Sequence, residues 1–178
     1  LLPDSKVRFT LTGRRAKPSG SVPLASGSIE LFPSELARSK ATLAFYLERV
    51  ELGADTLPQD AELSGASPNE LALRWLELGS GVPAEQRKQH RHAVFELSAV
   101  EDGATALDLE PSKRGARITV VGSVRLHGFR APVRTRVELR AQRSEQGTLQ
   151  IAIRSLEPVA LSLVAHDICA RSESGVSE

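Results

Sequence analysis

Apolar and polar residues alternate along many short stretches of this chain, which is the pattern of β-strands with one buried face. In the clearest stretch, 133–141, three apolar residues (Val133, Val137 and Leu139) alternate with arginines and a glutamate. Similar stretches occur at 7–12, 27–32, 40–51, 93–100, 117–126 and 149–153, and 159–168 is a candidate last strand. About eight short antiparallel strands predict an all-β fold, either a sandwich or a closed barrel. Closure into a barrel would remove the exposed strand edges.

Two stretches are typical of helices instead. Residues 33–38 are long enough for one turn. The stronger signal begins at Ser67, because serine can cap a helix, Pro68 suits the first helical position and Glu70 can reach back to the cap amide. We therefore predict a helix over 68–78 that a following glycine ends.

Composition excludes several classes of protein. The 178 residues are enough for one domain of ordinary size. The chain has 23 Lys and Arg against 22 Asp and Glu, so its charge of +1 gives no electrostatic case for binding nucleic acid. The single cysteine, Cys169, cannot form an internal disulfide or a cysteine-based zinc site. No apolar run approaches the roughly 20 residues of a membrane-spanning helix.

Several segments, in order along the chain, resemble the YceI-like family. Residues 119–133, TVVGSVRLHGFRAPV, resemble that family's V-x-G-x-L-x-I-H-G-x-x-x-P-V segment, which combines a glycine in mid-strand, a His-Gly turn and a proline four residues later. Residues 4–10 and 29–41 resemble its opening strands, and 93–96 resembles its A-T-F-K strand. Residues 59–64 resemble a weakened form of its R-D-x-H-L-x-S segment, with glutamine and glutamate in place of the arginine and histidine.

This resemblance implies a fold, a location and a ligand class. The fold would be an eight-stranded antiparallel lipocalin-like barrel over 1–171, with a short helix and an inserted helix and loop, followed by a disordered tail at 172–178. The location would be periplasmic or secreted, with a signal peptide removed. The ligand would be a long-chain isoprenoid or fatty-acyl lipid inside the barrel, and the protein could form a homodimer.

The apolar faces of the strands are the candidate lining of such a barrel. A lipid tail gains about 0.8 kcal/mol for each methylene that it buries there. The same alternation also builds a packed core, so the alternative is a filled barrel that acts through protein contacts, as an envelope stress or interaction module. The candidate ligand-binding residues are Phe9, Leu11, Ile29, Leu43, Phe45, Leu47, Trp75, Phe95, Val120, Val124, Leu126, His127, Val137, Leu139, Ile151 and Ile153.

Three of these positions carry further expectations. Trp75 and Leu71 are four residues apart on the predicted helix, so they face the same way and would seal one end of the barrel. His127 could touch a lipid head group, although a histidine that only stabilises the turn is the favoured interpretation. Residues 79–89 are expected to form an exposed loop.

The remaining polar residues do not assemble a catalytic or metal site in the sequence. His90 and His92 would share one strand face, but two ligands without a third are not a metal site, so a solvated loop is favoured. His166 and Asp167 accompany no nucleophile motif. We therefore expect no enzymatic activity, no metal and no cofactor.

An arginine stripe on one strand has two interpretations. Arg134, Arg136 and Arg140 would share one face of the strand over 133–141 and could meet a lipid phosphate. The favoured interpretation is the solvated outer face of a barrel strand.

Overall fold

The computed structural model describes residues 5–12, 17–53 and 67–168. The segment at 59–64, Cys169 and the tail at 172–178 lie outside these described residues. The strands are β1 (Lys6–Thr10), β2 (Ser19–Glu30), β3 (Lys40–Tyr46), β4 (Glu51–Leu52), β5 (His92–Gly103), β6 (Ala116–Leu126), β7 (Phe129–Arg143) and β8 (Leu149–Ser155). The helices are α1 (Pro68–Trp75) and α2 (Ala84–His90), and short 3₁₀ turns occur at Leu36–Arg38, Leu47–Arg49 and Val164–His166.

The strands form one antiparallel sheet that curls into a half-barrel. Their order is β1-β2-β3-β5-β6-β7-β8, and β4 pairs with the part of β2 that β3 leaves open. Register shifts interrupt the pairing of β2 with β3 and of β5 with β6, and such bulges bend a sheet. Within the described residues β1 and β8 do not pair with each other, so the curve stays open on one side. The prediction of an antiparallel all-β fold is confirmed.

Buried apolar side chains form two clusters toward opposite ends of the concave face. At one end, α1 and the chain around β4 cover a cluster that includes Val22, Leu52, Ala72, Leu126 and Ile168. A second cluster, at Leu36, Leu107, Ala116, Ile118, Val120 and Leu139, fills the other end. The candidate site lies on the concave face between these two clusters.

The start of α1 follows the sequence prediction. The Ser67 side chain accepts a hydrogen bond from the Glu70 amide at 3.3 Å, and the Glu70 carboxylate accepts one from the Ser67 amide at 2.7 Å. The end of α1 differs, because the helix stops at Trp75 and Glu77 takes the left-handed position, with φ 53°, that a glycine usually occupies. The Leu78 amide then bonds back to the Leu73 carbonyl at 2.7 Å, which closes the helix earlier than predicted.

Three other predictions are corrected. The stretch at 40–51 is not one strand, because pairing with β5 ends at Tyr46 and the chain turns to bury Leu47. The loop expected at 79–89 contains α2, which consists of good helix formers with no buried residue, so no apolar pattern revealed it. The candidate strand at 159–168 pairs with no other strand and ends in a 3₁₀ turn.

Candidate functional site

A cavity of about 1660 Å³ occupies the middle of the concave face. Side chains from all eight strands line it, and most of them are apolar. From the sequence-predicted set, the structure places these residues in the lining: Phe9, Leu11, Ile29, Leu43, Phe45, Leu47, Trp75, Phe95, Val120, Val124, Leu126, Val137, Leu139 and Ile153.

Two predicted residues lie outside this lining. Ile151 is half-buried and packs against the cluster around Leu139. His127 occupies the two-residue turn between β6 and β7, where its ring is buried near the end of α2 rather than in the cavity. The proposed contact between His127 and a lipid head group in the cavity therefore has no support in this geometry.

Large inward-facing side chains in the middle of the sheet are only half-buried. Leu43, Phe45, Phe95 and Val124 line the cavity, and none of them reaches the burial of the two end clusters. A filled barrel would bury these residues as completely as its end clusters, since native cores are close-packed. The half-buried faces therefore indicate apolar surface left available inside the fold.

The open side of the half-barrel is apolar as well. Val7, Ile153, Val159 and Val164 line the cavity and remain 38% to 76% exposed. The segment at 157–164 borders this opening, and sequence reasoning missed it because it was assigned to a strand. Large exposed apolar groups around a cavity are typical of an entrance for an apolar ligand.

Glu157 fixes that segment to β7. Its carboxylate accepts hydrogen bonds from the Arg136 amide at 3.1 Å, from Nε at 3.2 Å and from Nη2 at 3.1 Å. Hydrogen bonds from the Arg136 side chain, and then from its amide, lower the pKa of Glu157. The ion pair thus places Glu157 at the edge of the cavity and keeps it charged.

The arginine stripe lies on the outer face of the sheet. Arg134 contacts Glu101 at 3.0 Å and Asp102 at 2.9 Å, and Arg140 is exposed. Such exposed ion pairs add little to stability, because water and salt screen them. The placement agrees with the interpretation of this stripe as a solvated face.

A second group of polar side chains lies beyond the end of the cavity. Glu77 follows α1, His90 is the last residue of α2, and His127 occupies the β6–β7 turn. The Glu77 Oε2 atom lies 3.3 Å from His127 Nε2 and 3.5 Å from His90 Nδ1. The two imidazole rings lie 3.7 Å apart between centroids. One potential metal-ligating atom from each residue therefore falls within 4.8 Å of the other two. We call these three residues the Glu77–His90–His127 cluster.

A hydrogen bond to a backbone carbonyl orients the His127 ring. Its Nδ1 lies 3.1 Å from the His166 carbonyl oxygen, which can only accept, so Nδ1 donates. The opposite nitrogen, Nε2, is buried and makes no hydrogen bond within the described part of the chain. This nitrogen points toward the Glu77 carboxylate, and the His127 side chain is only 4% exposed.

Unusual backbone conformations concentrate at this cluster. Among the described residues, the non-glycine residues with positive φ are Glu77, His127 and Asp167. Two of these belong to the cluster, and the negative charge of Asp167 acts on His90. Glu77 follows the end of α1, His127 begins the two-residue turn between β6 and β7, and Asp167 ends a 3₁₀ turn, so each conformation belongs to a helix end or a tight turn.

The solvated loop expected around His90 and His92 is replaced by the end of α2 and the start of β5. His92 stacks on Tyr46 with ring centroids 5.5 Å apart, whereas His90 pairs with His127. The His90 side chain is only 14% exposed, so it does not belong to a solvated loop. Burial, and then the neighbouring His127 ring, lower the pKa of His90, while Glu77 and Asp167 act in the opposite direction. Sequence reasoning missed Glu77 altogether, since no spacing motif connects it to either histidine.

Comparisons with protein-family models, with curated proteins and with solved structures find no match to this chain. The resemblance to the YceI-like family therefore rests on the sequence segments given above. Neither α1 nor α2 has the length and apolar character that crossing a membrane as a helix requires, and this holds for every helix in the described ranges.

Proposed function

We propose that this protein binds a long-chain apolar lipid, a polyisoprenoid or a related chain, in the cavity of its half-barrel and carries or stores it without chemical change. The observation that carries the proposal is the size of the cavity, about 1660 Å³, together with its apolar lining. Pockets for drug-sized ligands usually measure roughly 300–1,000 Å³. A longer apolar chain therefore suits this cavity better than a compact metabolite.

The energetics favour a ligand held mainly by its tail. Burial of ten methylenes corresponds to about 8 kcal/mol of transfer free energy before the entropic costs of binding. Charged residues of both signs, among them Lys6, Lys40 and Glu51, lie around the cavity, so the lining does not select one head-group charge. The chemistry thus points to recognition of chain length and shape.

A closed lipocalin-like barrel and membership of the YceI-like family are part of the same proposal. Apart from β4, which pairs with β2, the sheet order follows the chain order, with α1 and α2 inserted between β4 and β5, as expected for an up-and-down barrel with an insertion. Export to the periplasm or the exterior and formation of a homodimer follow from the proposed family. The alternative, a filled interaction module, requires close packing in the region that the cavity occupies.

The only tryptophan of the chain provides a test, because Trp75 lines the cavity. Delipidated protein is titrated with an isoprenoid quinone, a quenching probe, and Trp75 emission is recorded. We expect saturable quenching at one quinone per chain. Quenching that never saturates, or none at all, contradicts the proposal and supports the filled module.

A matched pair of variants separates cavity binding from surface binding. Leu43→Gln places a polar amide on the lining, whereas Thr42→Gln changes the exposed neighbour on the same strand. An amide without a partner in an apolar site costs about 1–3 kcal/mol, so Leu43→Gln should weaken binding about tenfold or more. Thr42→Gln should bind as the wild type does. Equal affinities in both variants, with folding verified by near-ultraviolet circular dichroism, would place the quinone elsewhere.

A further inference from the structure

We propose that Glu77, His90 and His127 bind one divalent transition-metal ion, for which Zn²⁺ is the best fit. This inference is independent of lipid binding and departs from the expectation that the chain holds no metal. Two imidazole nitrogens and one carboxylate oxygen are ligands that zinc accepts in proteins, with water in the remaining position.

The distances fit a tetrahedral ion. Bonds of about 2.0–2.1 Å at tetrahedral angles place neighbouring ligand atoms about 3.3 Å apart. The Glu77 oxygen lies 3.3 Å from His127 Nε2 and 3.5 Å from His90 Nδ1. The two distances from Glu77 therefore match edges of such a tetrahedron, and one potential ligand atom of each residue lies within 4.8 Å of the other two.

The orientation of His127 also suits a metal ligand. Its Nδ1 faces the His166 carbonyl oxygen at 3.1 Å, so Nε2 is the ring nitrogen that faces the Glu77 carboxylate, at 3.3 Å. A cation between these two atoms would be bound by both residues. Metal-binding histidines typically donate their other N–H to a backbone carbonyl, as His127 does.

A hydrogen bond positions Glu77, and the buried Nδ1 atom of His90 is available as a ligand. Gln86 donates a hydrogen bond of 2.7 Å from Nε2 to Glu77 Oε2. The His90 Nδ1 atom is buried and makes no hydrogen bond within the described ranges. The three ligands come from the end of α1, the end of α2 and the β6–β7 turn, so the ion would connect these elements over the apolar cluster at that end of the half-barrel.

The experiment is a calorimetric titration of chelator-stripped full-length protein with Zn²⁺. Wild type should bind one ion per chain, and Glu77→Gln and His90→Asn should each weaken binding at least about tenfold. His92→Asn, which removes a histidine that stacks on Tyr46 outside the cluster, should bind within about twofold of wild type. Absence of saturable binding by wild type overturns the proposal. Unchanged affinity in both cluster variants, or an equal loss in His92→Asn, overturns it as well.

A second measurement uses only the wild-type protein, so it tests the site even if the variants do not fold. Stripped protein is loaded with Co²⁺, which absorbs strongly in the visible region when it is four-coordinate and weakly when it is six-coordinate. Strong visible absorption, and its displacement by one equivalent of Zn²⁺, are the expected results. Only the weak spectrum of a six-coordinate ion, or no displacement, contradicts a built site. Because neither readout measures a lipid, this proposal can fail without affecting the lipid proposal, and the reverse also holds.

Discussion

Gly122 lies on the concave side of β6, where the chain needs a residue without a side chain. A methyl group there would meet the Phe95 ring and the carbonyl oxygen of Glu96. The glycine therefore lets an aromatic ring of the cavity lining lie directly against the backbone of the neighbouring strand.

Gly122→Ala should destabilise the protein by about 1–3 kcal/mol, because the ring can move into the cavity but the Glu96 backbone cannot give way as easily. Urea unfolding measures the change in the free energy of unfolding. Gly81→Ala is the control, since nothing lies within 4 Å of its new methyl group, and it should change stability by less than about 0.5 kcal/mol. Equal effects of the two substitutions would contradict the packing of Phe95 over β6.

The ion pair of Glu157 with Arg136 predicts a dependence of stability on pH. The folded state lowers the pKa of Glu157, chiefly through the Arg136 side chain. Its stabilisation is therefore fully present above the ordinary glutamate pKa of about 4.3 and is lost as the pH falls through the lower folded value. Wild type should be more stable than Glu157→Gln at about pH 7, and the difference should shrink toward about pH 3.

Urea unfolding of both proteins across this range measures that difference. Glu145→Gln, in the turn between β7 and β8, is the matched control for the loss of one surface carboxylate. A gap between wild type and Glu157→Gln that stays constant with pH would show that the ion pair does not fix the segment beside the cavity.

At the scale of elements, the start of α1 could be predicted from the sequence, whereas its end could not. Its capping box was readable in the sequence, and the helix buries Leu71 and Ala72 at one end of the half-barrel. Trp75 on the same helix reaches the cavity, while Leu71 is buried outside its lining. The end of α1 was not readable, because Glu77 adopts a conformation that favours glycine, and the residues it faces belong to distant parts of the chain.

Ser67→Ala should destabilise the protein by about 1 kcal/mol, since it leaves the Glu70 amide without its cap. Ser80→Ala, in the exposed turn between α1 and α2, should have little effect. Thermal melting of the two variants provides the comparison. A Ser67→Ala protein as stable as the control would mean that α1 is held by packing alone.

The sequence predicted strands correctly where the alternation is long. It predicted them incorrectly where the neighbouring strand stops pairing although the alternation continues. Residues 133–141 fall within β7, whose register against β6 runs without a shift. Alternation also continues through Leu47, but the chain turns there because β5 begins opposite Tyr46. At 159–168 the apolar residues line the cavity opening without joining the sheet. Pairing is a long-range property, so a local pattern does not determine where it stops.

At the scale of the whole molecule, most of the candidate ligand-binding residues named from the sequence lie in the cavity lining, whereas the sequence did not predict the Glu77–His90–His127 cluster. Alternation identifies one face of each strand, and in a curved sheet these faces converge on one space. His90 and His127 are 37 positions apart, and they meet only because α2 ends beside the β6–β7 turn. No periodic pattern in the sequence predicts a contact between residues so far apart, so the cluster can be recognised only from the structure.

The central claim is that the half-barrel holds a lipid, and native mass spectrometry of gently purified protein tests it most directly. We predict one apolar chain per protein, which organic extraction releases as a polyprenyl or fatty-acyl species. Protein that is free of lipid as purified, and that takes up neither an isoprenoid quinone nor a polyprenyl phosphate when these are added, would contradict the claim.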